Sequence, residues 1–408
     1  MHGGFFYFFR YVDIKRINMK KLLLTAAISL TALSAFADLQ GDGYYRVQNA
    51  VTKRYAYLLD NRGSIDKGRG TADVKAMKLF MDAEAMKSDP ATVFYIDCVS
   101  GEGTRSVTSN IKGQGTGLYD FFGEYVKIIT GKQVDGAQSY YASASIGSFT
   151  KYLGDREHSL YEEEGYPDVD ATGDWRLWYI HPMDVASDDC YFGVLPTLTA
   201  GGKYYKPFYA SFPFTPKSDG IKVYAISEVS PYHGVVVIKE VEGVVPAGTP
   251  VIIECSSPLV SANRLDIGGT GQAVSGNRLR GVYFNNDFPL NHVNRTVNDK
   301  RSMRLLTVKD GALVFEQSDE TYLPRNEAYL QLSGDSEYGV GSYRIVTEAE
   351  WDEKYAAVES ISVDRTVDVY SLDGCLVKAG IQKSEVSSLG KGIYILRSGA
   401  AMEKLVVR

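Results

Sequence analysis

Three places in the chain set a tyrosine just ahead of an aspartate: Tyr57 before Asp60, Tyr119 before Asp120 and Tyr152 before Asp155. That pairing can do the chemistry of sugar recognition. A tyrosine ring offers a flat face to the C–H side of a pyranose, and an ionised carboxylate accepts hydrogen bonds from its hydroxyls. The same tyrosines can serve as strand packing, because aromatic side chains fit a half-buried pleated surface.

A second grouping could hold a cation. Asp168, Asp170, Thr172 and Asp174 place oxygen ligands at alternate positions, and Gly173 stands sixth, where a calcium loop bends around its ion. The closing bidentate Glu is missing, with Arg176 at the ninth position and Tyr179 at the twelfth, so a polar turn before a Trp175 strand accounts for the same residues. Calcium is the only cofactor the sequence suggests. No reaction is spelled out. His158, His181, His233 and His292 lie far apart, none in H-E-x-x-H, and neither a G-x-S-x-G elbow nor a C-G-x-C-W context occurs. The run Glu162-Glu163-Glu164, flanked by Gly165, reads as a solvated loop tip. These residues favour a non-catalytic binding or adhesive protein, with a secreted hydrolase of unrecognised active site as the alternative.

Composition narrows the classes. With 44 Lys and Arg against 50 Asp and Glu over 408 residues, the formal net charge is -6. A nucleic-acid partner would require a basic stripe to neutralise phosphates, so it is excluded. The 29 Tyr, 17 Phe and 40 Gly fall in short alternating runs, which predicts an all-β chain of several domains. Cys98, Cys190, Cys255 and Cys375 are scattered singly without C-x-x-C, which excludes a zinc ribbon and a thioredoxin-like pair. Two readings remain open for Cys190 and Cys255: a disulfide in an oxidising compartment, or buried free thiols.

The elements follow in order. Met19-Lys20-Lys21, the apolar run Leu22 to Leu33 and Ala35-Phe36-Ala37 before Asp38 make residues 19–37 a secretory signal peptide, with residues 1–18 an upstream misassigned start. The apolar run is too short to span a bilayer, no later run reaches that length, and no Cys follows the cleavage site. The mature chain should therefore carry no transmembrane anchor. Residues 38–184 repeat a Thr-to-Asp phrase at 52–60, 116–120 and 150–155, which predicts a threefold β-architecture. Within them, Val74, Met77, Phe80 and Met81 stand at helical spacing and predict a short amphipathic helix between strands. Residues 185–346 alternate as an all-β, sandwich-like module, with a hairpin at Leu305–Phe315 around Asp310-Gly311. Thr347 and Glu350 make a capping box for a short helix, and residues 347–365 connect to a β-module at 366–408.

That last module carries Val367-Asp368-Val369-Tyr370 with Leu372-Asp373-Gly374, then Leu389-Gly390-Lys391-Gly392-Ile393-Tyr394-Ile395-Leu396, then Lys404-Leu405-Val406-Val407-Arg408. It resembles the type A C-terminal sorting domain of the type IX secretion system of Bacteroidetes; Cys375 departs from the usual polar residue there. The resemblance implies a small immunoglobulin-like sandwich, recognition by the outer-membrane secretion machinery through residues 366–408, removal on export, and a secreted or outer-surface location reached through the periplasm. Gly43-Tyr44-Tyr45-Arg46-Val47-Gln48-Asn49 and Thr52 to Asp60 resemble the opening of a ricin-type β-trefoil unit, which implies a trefoil-like first domain and a glycan ligand. The family's Gln-x-Trp signature is absent; Val93-Phe94-Tyr95 and Trp175-Arg176-Leu177-Trp178 stand near where it would fall. A protein ligand is the other expectation. The phrases of the middle segment resemble an all-β module frequent in secreted Bacteroidetes proteins, from which no activity follows.

Overall fold

Alternating aromatic and β-branched residues between turn glycines favour pleated strands over helices. The computed structural model describes residues 39–61, 71–73, 77–80, 83–98, 106–119, 126–146, 149–155, 172–286, 293–355, 366–399 and 401–407. Across these residues the chain is all-β and multi-domain, with strands gathered into several sheets.

Six strands of the first domain close on one another. β1 (Gly43–Asn49), β2 (Phe94–Cys98), β3 (Ser106–Gly113), β4 (Lys127–Val134), β5 (Ala137–Ile146) and β6 (Leu177–Pro182) each pair antiparallel with the next. β6 returns to β1, with Tyr45 opposite Pro182 and Asn49 opposite Trp178, so the ring has no free edge. Tyr45, Phe94, Ile96, Ile128, Tyr140 and Trp178 fill its interior, and the indole N–H of Trp178 donates to the Leu153 carbonyl at 2.9 Å. Three excursions leave the ring, between β1 and β2, β3 and β4, and β5 and β6. They contain the strands Tyr55–Leu58, Thr116–Tyr119 and Phe149–Leu153. The three echoed phrases thus sit at equivalent points of the ring.

The helix expected around Val74 to Met81 is not formed. Met77–Phe80 is a strand running antiparallel to Tyr55–Leu58, with Leu58 opposite Met77 and Tyr55 opposite Phe80. Tyr55–Leu58 would otherwise leave a row of backbone donors and acceptors unpaired, and satisfying them outweighs a helical side-chain spacing. Val74 and Met81 lie outside the described residues. Among the described residues that follow, Ala85–Ser88 and Pro90–Thr92 turn helically, each as a short 3-10 segment.

The middle module is one long sheet that curls. Its strands are β7 (Leu198–Ala200), β8 (Lys203–Phe208), β9 (Lys222–Ser230), β10 (Val235–Glu240), β11 (Val251–Cys255), β12 (Leu279–Val282), β13 (Met303–Lys309), β14 (Ala312–Glu316), β15 (Glu327–Gln331) and β16 (Ser342–Thr347). They lie in the order β7-β8-β11-β9-β10-β16-β14-β13-β15-β12, and only β10 and β16 run parallel. Curling brings Ile226, Ile252, Leu279, Phe315, Leu330 and Tyr343 into one core, and the Arg278 N–H beside β12 donates to the Ile226 carbonyl of β9 at 3.0 Å. A three-stranded sheet of Phe192–Gly193, Arg264–Ile267 and Phe214–Pro216 covers a second, aromatic core in which Phe192 meets Phe212 at 5.1 Å and Phe208 meets Phe214 at 5.5 Å. Helix α1 (Glu348–Lys354) follows β16; Thr347 Oγ1 accepts the Glu350 N–H at 3.2 Å and Trp351 packs on Val235, Val237 and Val346.

Polar groups join this module to the ring. Arg325 grips Asp89 with both terminal nitrogens, at 2.8 and 2.6 Å, and Gln114 and Asn326 exchange amide hydrogen bonds at 2.9 Å each way. Beyond them, β17 (Thr366–Ser371), β18 (Leu376–Gln382), β19 (Gly392–Ser398) and β20 (Ala401–Val407) form an antiparallel sheet in the order β18-β17-β19-β20. One face buries Val367, Val369 and Leu396 against Val386 of the 3-10 segment Lys383–Ser388. The connection from β17 to β18 turns at Gly374, whose φ of +83° is open to glycine without strain. Among the described residues no helix is long and apolar enough to cross a membrane.

Candidate functional site

The three tyrosine–aspartate pairs do not form three open sites. Asp60 is fully buried, and Asn294 of the middle module donates to its carboxylate at 3.1 Å. Asp155 is buried as well, its carboxylate held by Arg54 and Thr52. Both carboxylates are thus engaged by protein partners, Asp60 tying the first excursion to the middle module and Asp155 tying the third excursion to the first. The Tyr57 phenol is raised by burial, against the pull of Arg325 nearby. Tyr152 is half-buried, 5.3 Å from Tyr141, with the Arg176 guanidinium 4.6 Å from its ring centre. Tyr119 ends the strand Thr116–Tyr119, while its side chain and Asp120 lie outside the described residues.

Of the calcium-loop residues, Asp168 and Asp170 lie outside the described residues. Thr172 is exposed at the start of the 3-10 turn Gly173–Arg176, and Asp174 pairs with Lys132 at 2.6 Å. No group of three or more His, Cys, Asp or Glu is placed to hold a metal among the described residues. All four cysteines are free thiols, Cys190 and Cys255 buried, so the disulfide alternative is not formed.

A cleft of about 370 Å³ opens in the middle module, where the sequence suggested nothing. Its position follows from strand register. β14 and β16 pair from Glu316–Ser342 as far as Val314–Arg344, and the next residues of the two strands, Leu313 and Ile345, line the cleft. Ile238 and Ile252 add apolar side chains to its lining. Two tight turns each bring a glycine to the lining: Gly201-Gly202 between β7 and β8 brings Gly201, and Asp310-Gly311 between β13 and β14 brings Gly311, the latter turn with φ of +52° and +77° as a two-residue hairpin turn requires.

Two tyrosines of the cleft meet Glu254. Tyr205 of β8 lies directly opposite Glu254 of β11, and Tyr224 of β9 sits one step along, opposite Ile252. The Tyr224 hydroxyl donates to Glu254 Oε2 at 3.5 Å, and Lys203 approaches the other oxygen at 3.5 Å. Burial, then the negative charge of Glu254, pushes the Tyr205 phenol up to about 12 and raises that of Tyr224 in the same order. Both tyrosines are therefore neutral donors at any physiological pH. Arg344 and Glu350 add a guanidinium and a second carboxylate to the lining. Such a set, with donors and acceptors beside apolar lining, suits a molecule that is flat on one face and hydroxylated at its edge.

These residues are ordinary strand residues in sequence. Tyr205, Tyr224 and Glu254 carry no motif, and only the alternation that puts each on the inner face of a strand could have grouped them. No family model matches the chain, and searches of curated proteins and of solved structures found no match.

Proposed function

We propose that the protein is an exported, non-catalytic binding protein of the cell surface or extracellular space, and that its ligand is a carbohydrate held in the middle-module cleft. The observation that carries this reading is the meeting of Tyr205 and Tyr224 with Glu254 in a cleft whose lining also includes Arg344 and the apolar Ile238 and Ile252. Phenol and guanidinium donors with a carboxylate acceptor match the paired donor and acceptor character of sugar hydroxyls. The closed six-strand ring with its three excursions supports a trefoil-like reading of the first domain, which then acts as a rigid support for the cleft-bearing module. Delivery by a type IX-like route through residues 366–408 is part of the same proposal.

The test is a glycan array probed with the full chain, followed by calorimetry on any sugar retained. Glu254→Gln keeps the shape and removes the charged acceptor; it should weaken binding by about 1.5–3 kcal/mol, roughly ten- to a hundredfold. Unchanged binding by that variant moves the ligand elsewhere. The hydrolase alternative has one observation in its favour, the presence of both Glu254 and Glu350 in the cleft lining. Release of reducing sugar by the wild type, abolished in Glu254→Gln, would establish it.

A further inference from the structure

We infer that the cleft takes an extended chain of sugar units, not a single ring, and that the chain runs out past Arg344 onto an aromatic ledge on the outer face of the curled sheet. The inference rests on the carbohydrate reading above and names the ligand class within it.

The seam explains how one ligand can touch both faces. A continuous sheet separates its inner and outer surfaces, but the β14–β16 pairing ends at Val314–Arg344, and the residues at and just past that end, Arg344, Ile345 and Leu313, line the cleft. Arg344 stands where the pairing ends. It lines the cleft on one side and donates to the Tyr355 hydroxyl on the other, with its guanidinium 6.0 Å from that ring's centre.

From Tyr355 the aromatic groups continue. His233 lies 4.9 Å from Tyr355, and Tyr232 lies 4.7 Å from His233. Tyr355 is steadied from beneath by Trp351, stacked at 5.6 Å and 27°, and Trp351 is itself buried on Val235 and Val237. The ledge therefore sits on a fixed base. Tyr232 is 75% exposed in the turn between β9 and β10. A ring that open stabilises little by burial, whereas its free face is available to a pyranose. The order from cleft to ledge is Glu254 with Tyr224, then Arg344, then Tyr355, His233 and Tyr232. Aromatic faces and hydrogen-bonding groups thus recur along one path, which a single ring could not cover.

The experiment uses the full chain and three oligosaccharide ladders, gluco-, manno- and xylo-, each from monosaccharide to hexasaccharide, titrated by calorimetry. Affinity in the ladder that binds should rise with length. Tyr232→Ala, an exposed substitution, should cost about tenfold on the longest member and nothing on the shortest. Glu254→Gln should weaken every member alike. Affinity flat in chain length, or a Tyr232→Ala variant indistinguishable from wild type on the hexasaccharide, overturns this inference while leaving the cleft as a sugar site. Binding of none of the ladders, or binding insensitive to Glu254→Gln, overturns the carbohydrate reading and this inference with it.

Discussion

Arg54 holds the carboxylate of Asp155 by both oxygens, its Nε 2.6 Å from Oδ2 and a terminal nitrogen on Oδ1, while Thr52 donates to Oδ2 as well. Their side chains are 9% and 1% exposed, so the pair is essentially out of water. It fastens the first excursion of the ring to the third. Removing one partner of such a pair leaves the other charged and desolvated, which costs far more than losing both together.

Asp155→Ala should therefore destabilise the protein by about 3–5 kcal/mol in urea unfolding, by stranding the Arg54 guanidinium. The double variant Arg54→Leu with Asp155→Leu should recover much of that loss. Equal destabilisation in the single and double variants would mean the pair is not the cause.

Arg325→Ala should loosen the junction between ring and middle module. The variant leaves Asp89, 9% exposed at its side chain, without its bidentate partner, although Asp89 still caps the Pro90–Thr92 turn through the Ala91 N–H at 3.0 Å. Because the Arg325 side chain is 32% exposed, solvent screens part of the pair, and a loss of roughly 2–4 kcal/mol is expected. Calorimetry should show a lower melting temperature, and a transition indistinguishable from wild type would contradict the assignment.

Cys190 makes a pH-dependent contribution. Burial pushes its thiol up to about 11 from an ordinary value of 9.0, against the pull of Arg46. In the window between those values the folded chain holds a proton that the unfolded chain has released, so stability falls as pH rises. The contribution is complete below pH 9 and lost by about pH 11, on the order of 2–3 kcal/mol. Cys190→Ala should flatten the drop in melting temperature across that window relative to wild type, and parallel curves would reject the assignment.

Thr347→Ala should cost about 1 kcal/mol, since it removes the acceptor for the Glu350 N–H at the start of α1. Because α1 carries Glu350 to the cleft and leads into Tyr355, the same variant should weaken binding of the longer oligosaccharides slightly. Hydrogen exchange localised to residues 348–354 would report the loosened turn.

Deleting residues 366–408 should leave the chain in the periplasm, whereas the intact chain should be found outside the outer membrane beginning at Asp38. Fractionation with N-terminal sequencing checks both, and normal export of the truncation would remove the sorting role from the terminal sheet.

What the sequence determined by itself is what short-range chemistry controls. The Asp310-Gly311 hairpin and the Thr347 cap form where they were read, because turn dihedrals and helix capping depend on a few adjacent residues. The all-β character followed from composition in the same way. Tertiary structure alone decided where side chains face. Met77–Phe80 became a strand because a neighbouring edge needed a partner, and Asp60 and Asp155, polar residues at turn-like positions, were drawn inside by Asn294 and Arg54. The cleft depends on Tyr205 meeting Glu254 across two strands far apart in sequence, and on β14 and β16 ceasing to pair at Val314 and Arg344. A strand's alternation says that it has two faces, but which face is closed over, and where a pairing ends, is set by partners that lie elsewhere in the chain.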